Sequence, residues 1–136
     1  MACRNVQKAE EAREEILKEL EKAHNSNKIG QIKVKHLDLT SLASVRQCAK
    51  ELLDEEFKIH LLINNGGVYG CPYALTEDGY ETQLATNHLG HYLFTLLLLP
   101  RIIRSAPARI VNVRSSLHQN SRKYSKWPLK RGPGLL

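Results

Sequence analysis

The sequence has no long apolar run that could cross a membrane. Its most apolar stretch, residues 92–99, is short and contains Thr95, whereas a membrane-spanning helix needs about 20 predominantly apolar residues. The first residues lead into a charged segment and lack the apolar region of a secretory signal peptide. We therefore interpret residues 92–99 as a buried helix segment, and we expect a chain without a membrane segment, located in the cytoplasm.

Cysteine is scarce as well. Cys3, Cys48 and Cys71 are odd in number and widely spaced, and none belongs to a C-x-x-C motif. This pattern fits a reducing compartment better than a disulfide framework, and it excludes the common zinc and redox motifs. The pair His88 and His91 has helical spacing, but no third ligand follows at a suitable distance along the chain. We expect no metal site.

Acidic residues are absent from the last part of the chain. The net charge is +6, and every Asp and Glu lies at or before Glu81. The basic residues that follow are Arg101, Arg104, Arg109, Arg114, Arg122, Lys123, Lys126, Lys130 and Arg131. Such a segment could attract nucleic acid or an anionic membrane. No aromatic stacking pattern accompanies the charge. We therefore interpret the positive net charge as the contribution of an unstructured basic tail, and we do not expect a nucleic-acid partner.

Apolar periodicity divides the chain into alternating helices and strands. Helical spacing and strand-like runs predict the order α-β-α-β-α-β, which is typical of right-handed crossovers and a parallel sheet. Thr40 or Ser41 is expected to cap the second helix. The predicted elements are a helix over 5–23, a strand over 32–39, a helix from about 42, a strand ending at 64, a helix over about 78–103 and a strand over 109–113.

The most informative feature is the segment N-N-G-G at residues 64–67, which directly follows a short apolar strand. Ligands of parallel α/β sheets bind at the carboxyl ends of the strands. Two amides supply hydrogen-bonding groups there, and two glycines leave the backbone bare and free to adopt unusual conformations. The same four residues are also an ordinary turn signal.

Three motifs in this order resemble the short-chain dehydrogenase/reductase superfamily, most closely its retinol dehydrogenase-like branch. They are N-N-G-G at 64–67, N-H-L-G-H at 87–91 and V-N-V-R-S at 111–115. The resemblance covers residues 1–118 and implies an α/β fold, a partial Rossmann-like doubly wound parallel sheet. It also implies hydride transfer between NADP(H) and a small-molecule alcohol/carbonyl pair, with retinoids as candidates by analogy with the branch. Residues 119–136 are expected to form a disordered basic tail.

The resemblance implies cofactor contacts for five residues. Arg4 stands where NADP-preferring members have a basic residue for the 2′-phosphate, so we expect NADP in preference to NAD. Asp38 matches the Asp that contacts the adenine edge. The alternative interpretations are that Arg4 is an ordinary surface arginine and that Asp38 is a polar residue before a helix start. Asn64, Gly66 and Gly67 match the family's N-N-A-G, with Gly66 in place of Ala.

The resemblance also implies two catalytic residues. Asn87 matches the family's catalytic Asn, which kinks the long helix and binds a water of the proton relay. Ser115 aligns with the second Ser of V-N-V-S-S, which orients the substrate oxygen, and Arg114 replaces the first Ser. Because Ser116 follows where an apolar residue is usual, either serine could take this role.

The family's proton donor is the Tyr of Y-x-x-x-K. Tyr124 is followed by Lys126 and Pro128 instead, and proline would break the helix that must present the pair. The glycine-rich turn T-G-x-x-x-G-x-G is not found either, and the opening residues look like the end of the family's second strand. We therefore expect an internal piece of a reductase, inactive as written. The alternative is a non-catalytic splice form that pairs with a full-length, membrane-associated homologue.

The resemblance further implies that the sheet lacks its first strand and its C-terminal third. The first strand of the family lies centrally, and we expect the gap between the strand containing Val34 and the strand containing Leu62. Unpaired strand edges and uncovered apolar faces predict low stability.

Overall fold

The computed structural model describes residues 1–23 and 30–115. Its elements are β1 (Ala2–Cys3), α1 (Val6–Ala23), β2 (Lys35–His36), α2 (Leu42–Glu55), β3 (Leu61–Asn64), α3 (Thr82–Leu84), a π-helical segment (Ala85–Leu89), α4 (Gly90–Arg104) and β4 (Arg109–Asn112). The predicted alternation of helices and strands is confirmed. The predicted tail, residues 119–136, lies outside the described residues.

The first two helices begin where their capping residues predict. The Lys8 N–H donates to Asn5 Oδ1 at 2.9 Å, directly before α1. The Ser44 N–H donates to Ser41 Oγ at 3.2 Å, so Ser41 and not Thr40 caps α2. In both cases a short polar side chain accepts from an amide of the first turn that has no partner within the helix.

The strands form two parallel pairs, β1 with β2 and β3 with β4. In the second pair Leu61 lies opposite Arg109 and Asn64 lies opposite Asn112. The strand predicted over residues 32–39 is reduced to Lys35–His36, because its partner β1 offers only two residues for pairing. This parallel α/β arrangement confirms the predicted fold class.

A gap separates the two strand pairs. The groove at this place is lined by residues 1–4 on one side and 61–64 on the other. It therefore lies between β1 and β3, and β2 lies on the far side of β1. The expectation that the strand containing Val34 borders the gap was wrong, because β1 intervenes and pairs along β2.

The core lies on one face of the sheet, where α2 and α4 pack together. Its buried members are Leu37, Val45, Cys48, Ala49, Leu62, Phe94, Leu98 and Ile102. The opposite face is open: Leu61 is 54% exposed and Ile63 is 55% exposed. In α1 the described side chains include only one buried residue, Ala9, while Val6 and Ile16 are exposed. The expected uncovered apolar surface is therefore present on the strands and on α1.

The long helix begins later than predicted and is interrupted. The predicted start near Asp78 is a turn, in which Gly79 has a φ of 80°. The Glu81 carboxylate then accepts from the N–H groups of Gln83 and Leu84 and caps α3. Pro100 lies within α4, which continues to Arg104. Across the described ranges, no helix is both long enough and apolar enough to span a membrane.

Candidate functional site

The groove between β1 and β3 has a volume of about 1000 Å³. The turns after β2 and β3 meet there: a Cβ built on Gly66 would lie 3.0 Å from Leu39 Cδ1. This is the edge of a parallel α/β sheet at which ligands bind. The groove is lined by all five residues for which a cofactor contact was predicted, Arg4, Asp38, Asn64, Gly66 and Gly67.

Asn64 begins the turn and fixes it to two neighbouring elements. Its side chain is buried, with Nδ2 donating to Thr95 Oγ1 at 2.9 Å and to Asn112 Oδ1 at 2.8 Å. These bonds connect β3 to α4 and β4. Thr95 was not predicted as a site residue, although a single polar residue in an apolar stretch was the signal that could have found it.

The two glycines lie where the backbone passes close to other groups. The Gly66 carbonyl lies 2.6 Å from His91 Nε2. A carbonyl can only accept, so Nε2 carries the hydrogen and donates it. A Cβ on Gly67 would lie 3.1 Å from Asn87 Oδ1, which makes a side chain there difficult to fit. Both glycines are exposed and present bare backbone to the groove.

Asn87 lies in the π-helical segment, where the resemblance implied a kinked helix. Its Oδ1 accepts from the Val68 N–H and its Nδ2 donates to the Val68 carbonyl, each at 2.8 Å. Single π-helical turns within α-helices occur frequently at functional sites. Through these two hydrogen bonds, the Asn87 side chain holds Val68, the residue directly after the two glycines, in place. Each of its amide atoms keeps capacity for one further hydrogen bond, so a water can still bind there.

The two histidines of N-H-L-G-H have separate roles. The His88 ring stacks on Tyr92, with centroids 6.1 Å apart and an interplanar angle of 21°, while His91 bonds Gly66. In the described part of the chain, no group of three or more His, Cys, Asp or Glu side chains could hold a metal ion. The motif N-H-L-G-H predicted no contact between His91 and the N-N-G-G turn, because this contact depends on the tertiary structure.

Asp38 and Arg4 differ in the hydrogen bonds that their side chains form with other described residues. Asp38 Oδ1 accepts from the Thr40 N–H at 2.9 Å and from Thr40 Oγ1 at 2.7 Å, so this oxygen stabilises the turn into α2. Arg4 is exposed beside the start of α1 and forms no hydrogen bond or ion pair with another described residue. A guanidinium near a helix N-terminus is a favourable place for an anion.

A second cavity of about 350 Å³ lies beyond the end of β4, between this strand and the long helix. Its lining includes Asn64, Asn87, Tyr92 and Arg114. Ser115, at the end of the described residues, is exposed and is not among the residues that line this cavity. Residues 116–136, and with them Ser116 and Tyr124, fall outside the described ranges.

The parallel strands and the N-N-G-G turn at their carboxyl edge define a Rossmann-like α/β protein. Residues 1–126 match the family model described as short chain dehydrogenase. The chain belongs to the short chain dehydrogenase family of oxidoreductases, as its motifs predicted.

Among its relatives is retinol dehydrogenase 12 of Mus musculus, 49% identical over 118 residues, which are 87% of this chain. The chain spans only 35% of that relative's length. A crystal structure of an uncharacterized protein from Mycobacterium Paratuberculosis is 41% identical with a TM-score of 0.65, over 87% of this chain and 37% of that one. A metagenomic short-chain oxidoreductase in complex with NADP shares the fold at 22% identity, with a TM-score of 0.64, over 84% of this chain and 49% of that one.

Proposed function

We propose that this chain carries the cofactor-facing portion of an NADP-dependent oxidoreductase, which transfers hydride between NADP(H) and an alcohol/carbonyl pair. The observation that carries this proposal is the single groove shared by Arg4, Asp38, Asn64, Gly66 and Gly67. The NADP complex of a structural neighbour supports the choice of cofactor. The names of the retinol dehydrogenase relatives support a retinoid substrate.

The residues that line the groove fit such a cofactor. When bound, NADP(H) supplies or accepts the hydride. Arg4 would pair with the 2′-phosphate, and the Asp38 carboxylate would accept from the exocyclic amine of adenine. Gly66 and Gly67 would let the cofactor approach the backbone closely.

The catalytic residues are proposed from the match of their motifs to the family. Asn87 would hold a water for proton transfer, and Ser115 would orient the substrate oxygen. We propose residues 1–118 as the cofactor-binding unit and 119–136 as a basic tail, and we expect the chain as written to be inactive. Cytoplasmic location stays a prediction.

The test is the affinity of the full chain for NADPH and for NADH, measured by titration calorimetry. The variant is Arg4→Gln, and the matched control is Arg46→Gln, which removes another exposed arginine on α2. Losing a charge-assisted bond to phosphate should weaken NADPH binding by about tenfold or more. Affinity for NADH, which has no 2′-phosphate, should not change.

Equal affinity for both nucleotides, unaltered by Arg4→Gln, would refute the assignment of Arg4. Absence of any binding would refute the cofactor site in this chain. Oxidation of NADPH upon addition of retinaldehyde would contradict the expected inactivity.

A second candidate is a non-catalytic form that pairs with a full-length homologue. Among the residues that the structure describes, each strand pair has edges without a further strand, and these edges favour it, because exposed edges are ready to pair with another chain. Co-purification of the chain with a full-length retinol dehydrogenase would support it. Independent migration of the two proteins in gel filtration would count against it.

A further inference from the structure

Asn65 and Gly66 form the only Asn-Gly pair of the sequence. The pair is present because Gly66 stands where N-N-A-G has Ala, and a second glycine follows it. Without a Cβ, glycine leaves its own backbone nitrogen open to approach and lets the chain adopt conformations that other residues avoid. The amide side chain of Asn65 therefore lies next to a backbone nitrogen that no side chain shields.

The polar side chains around this pair are fixed by hydrogen bonds, but that of Asn65 is not. Asn64 is buried and donates two hydrogen bonds from its Nδ2. Asn87 bonds both polar groups of the Val68 backbone. The side chain of Asn65 is exposed and forms no hydrogen bond with a described residue. Its carboxamide is therefore free to rotate within a turn whose two ends are held.

The backbone N–H of Gly66 is free as well. The carbonyl of Gly66 lies 2.6 Å from His91 Nε2, but within residues 1–23 and 30–115 no group accepts from the Gly66 N–H. Rotation of Asn65 about χ1 brings its Cγ toward this nitrogen, and no hydrogen bond between described residues has to break first. Asn64 and Asn87 would each have to lose two hydrogen bonds to make the same movement.

We propose that Asn65 is a site of spontaneous covalent modification, at which the turn converts its own asparagine into aspartate or isoaspartate. The Gly66 nitrogen attacks Asn65 Cγ and forms a C–N bond, while the bond from Cγ to Nδ2 breaks. The proton of the Gly66 N–H leaves with Nδ2, so ammonia is released and a cyclic imide remains. No electrons are transferred, so the step needs neither an oxidant nor a reductant.

Water then opens the imide at one of its carbonyl carbons. Addition of water at Cγ restores the ordinary backbone and leaves an aspartate side chain. Addition at the main-chain carbonyl of residue 65 leaves the chain running through Cγ, which is isoaspartate, with one more carbon in the backbone. Both products carry a carboxylate that is ionised at neutral pH.

The new charge would lie in the candidate cofactor groove, because Asn65 lines this groove together with Arg4 and Asp38. A carboxylate repels the phosphates that NADPH and NADH share, so we expect both affinities to fall by about threefold to tenfold. This consequence rests on the proposed function, whereas the modification itself does not.

The test incubates the full chain at neutral pH and body temperature and follows the peptide that contains Asn65 by mass spectrometry. We expect a mass gain equal to the replacement of NH by O, and uptake of heavy oxygen from labelled water. An isoaspartyl methyltransferase should methylate the isoaspartate fraction. Asn64 and Asn87 are internal controls and should stay unchanged. An unmodified Asn65, under conditions in which a short N-N-G-G peptide reacts, would overturn the proposal.

Gly66→Ala is the matched variant, because it restores the residue of N-N-A-G and its Cβ would meet only the flexible end of Leu39. The added Cβ hinders the attack and restricts the backbone, so the reaction should slow by about fivefold or more. An equal rate in this variant would overturn the role of the Asn-Gly pair.

A comparison with the chain unfolded in guanidinium chloride decides whether the fold presents Asn65 or protects it. A turn that leaves Asn65 free predicts similar rates in the folded and the unfolded chain. A rate that is about tenfold or more higher in the unfolded chain would overturn the proposal. Circular dichroism establishes the folded state in buffer. A chain already unfolded in buffer would also overturn the proposal, since no folded turn would then present Asn65.

Nucleotide binding separates this proposal from the proposed function. Asn65→Asp supplies the aspartate product in defined form, and its affinities for NADPH and NADH are compared with those of the fresh chain. Modification of Asn65 in a chain that fails to bind NADPH would support the modification site and refute the cofactor site. Equal affinities of the fresh chain and Asn65→Asp would overturn the predicted effect on the groove.

Discussion

Asn87 holds the backbone of Val68 at both of its polar groups, by accepting from the N–H and donating to the carbonyl, each at 2.8 Å. Because Val68 follows the N-N-G-G turn, this pair connects the groove to the π-helical segment of the long helix. The contact couples a predicted catalytic residue to the predicted cofactor site.

Asn87→Asp should test this contact. The substitution keeps the shape of the side chain but places an oxygen against the Val68 carbonyl, so we expect a loss of about 1–3 kcal/mol in the free energy of unfolding. Urea unfolding and the exchange rate of the Val68 amide are the measurements. Asn65→Asp, at an exposed position of the same turn, is the control. Equal effects of both variants would show that charge alone is responsible.

Gly90 and Gly66 both lie against Leu39, but against different parts of it. A Cβ on Gly90 would lie 2.6 Å from the Leu39 carbonyl oxygen, whereas on Gly66 it would lie 3.0 Å from the mobile end of the side chain, Cδ1. Gly90→Ala should therefore cost about 1–3 kcal/mol, as overpacking does. Gly66→Ala should be tolerated, since Leu39 can move its methyl group. Comparison of their Tm values checks this, and a lower Tm for Gly66→Ala would contradict it.

Asn64→Ala should destabilise the chain because it leaves Thr95 Oγ1 and Asn112 Oδ1 without a shared donor. Thr95 is partly buried and Asn112 is exposed, so we expect a cost of about 1 kcal/mol, which is typical of one hydrogen bond. In the double variant, Thr95→Val should reduce this loss of stability, since it removes one of the two acceptors that are left without a donor. Unfolding of the four proteins of this cycle gives the coupling energy. Additive effects would mean that the Asn64–Thr95 bond contributes nothing.

The Lys35–Glu55 ion pair predicts a pH dependence of stability. The hydrogen bond between them lowers the pKa of Glu55 below its ordinary 4.5 and raises the pKa of Lys35 above its ordinary 10.5. The Glu55 contribution is present above its unfolded pKa and is lost as the pH falls through the lowered value. The Lys35 contribution is complete below its unfolded pKa and is lost as the pH rises through the raised value.

Lys35→Met should therefore lower the Tm by a constant amount between about pH 5 and about pH 10, and by less outside this range. Added salt should shrink the difference, because both groups are accessible to solvent. Lys50→Met, which removes an exposed lysine of α2, is the control. A difference in Tm that persists at low pH would exclude the ion pair as its cause.

The reactivity of the three cysteine thiols should report whether the side chains of the core are tightly packed around Cys48. Burial raises the pKa of the Cys48 thiol, and Cys48 is buried whereas Cys3 and Cys71 are partly exposed. Because the thiolate is the reactive form, Cys48 should react with a disulfide reagent much more slowly than the other two. Given the split sheet, we expect Cys48 to become reactive at modest temperature. A sharp cooperative transition at high temperature would refute low stability.

Local patterns in the sequence predicted α1 and α2 well. Their apolar residues recur at helical spacing, and Asn5 and Ser41 bring their caps with them. The strand over residues 32–39 was overestimated, because strand length depends on a partner that lies far away in the sequence. The predicted start of the long helix was wrong because the Asp78 carboxylate accepts from the distant Leu42 N–H, while Glu81 caps the helix.

The sequence by itself determined the α/β alternation, the family and the positions of the candidate residues, since motif order and periodicity are properties of the chain. Only the tertiary structure decided which partners these residues have. Asn64 with Thr95, Asn87 with Val68 and His91 with Gly66 join positions 19 to 31 residues apart. Such contacts depend on how helices and strands pack in three dimensions, and hydrogen bonds form only where that packing brings the two atoms within reach.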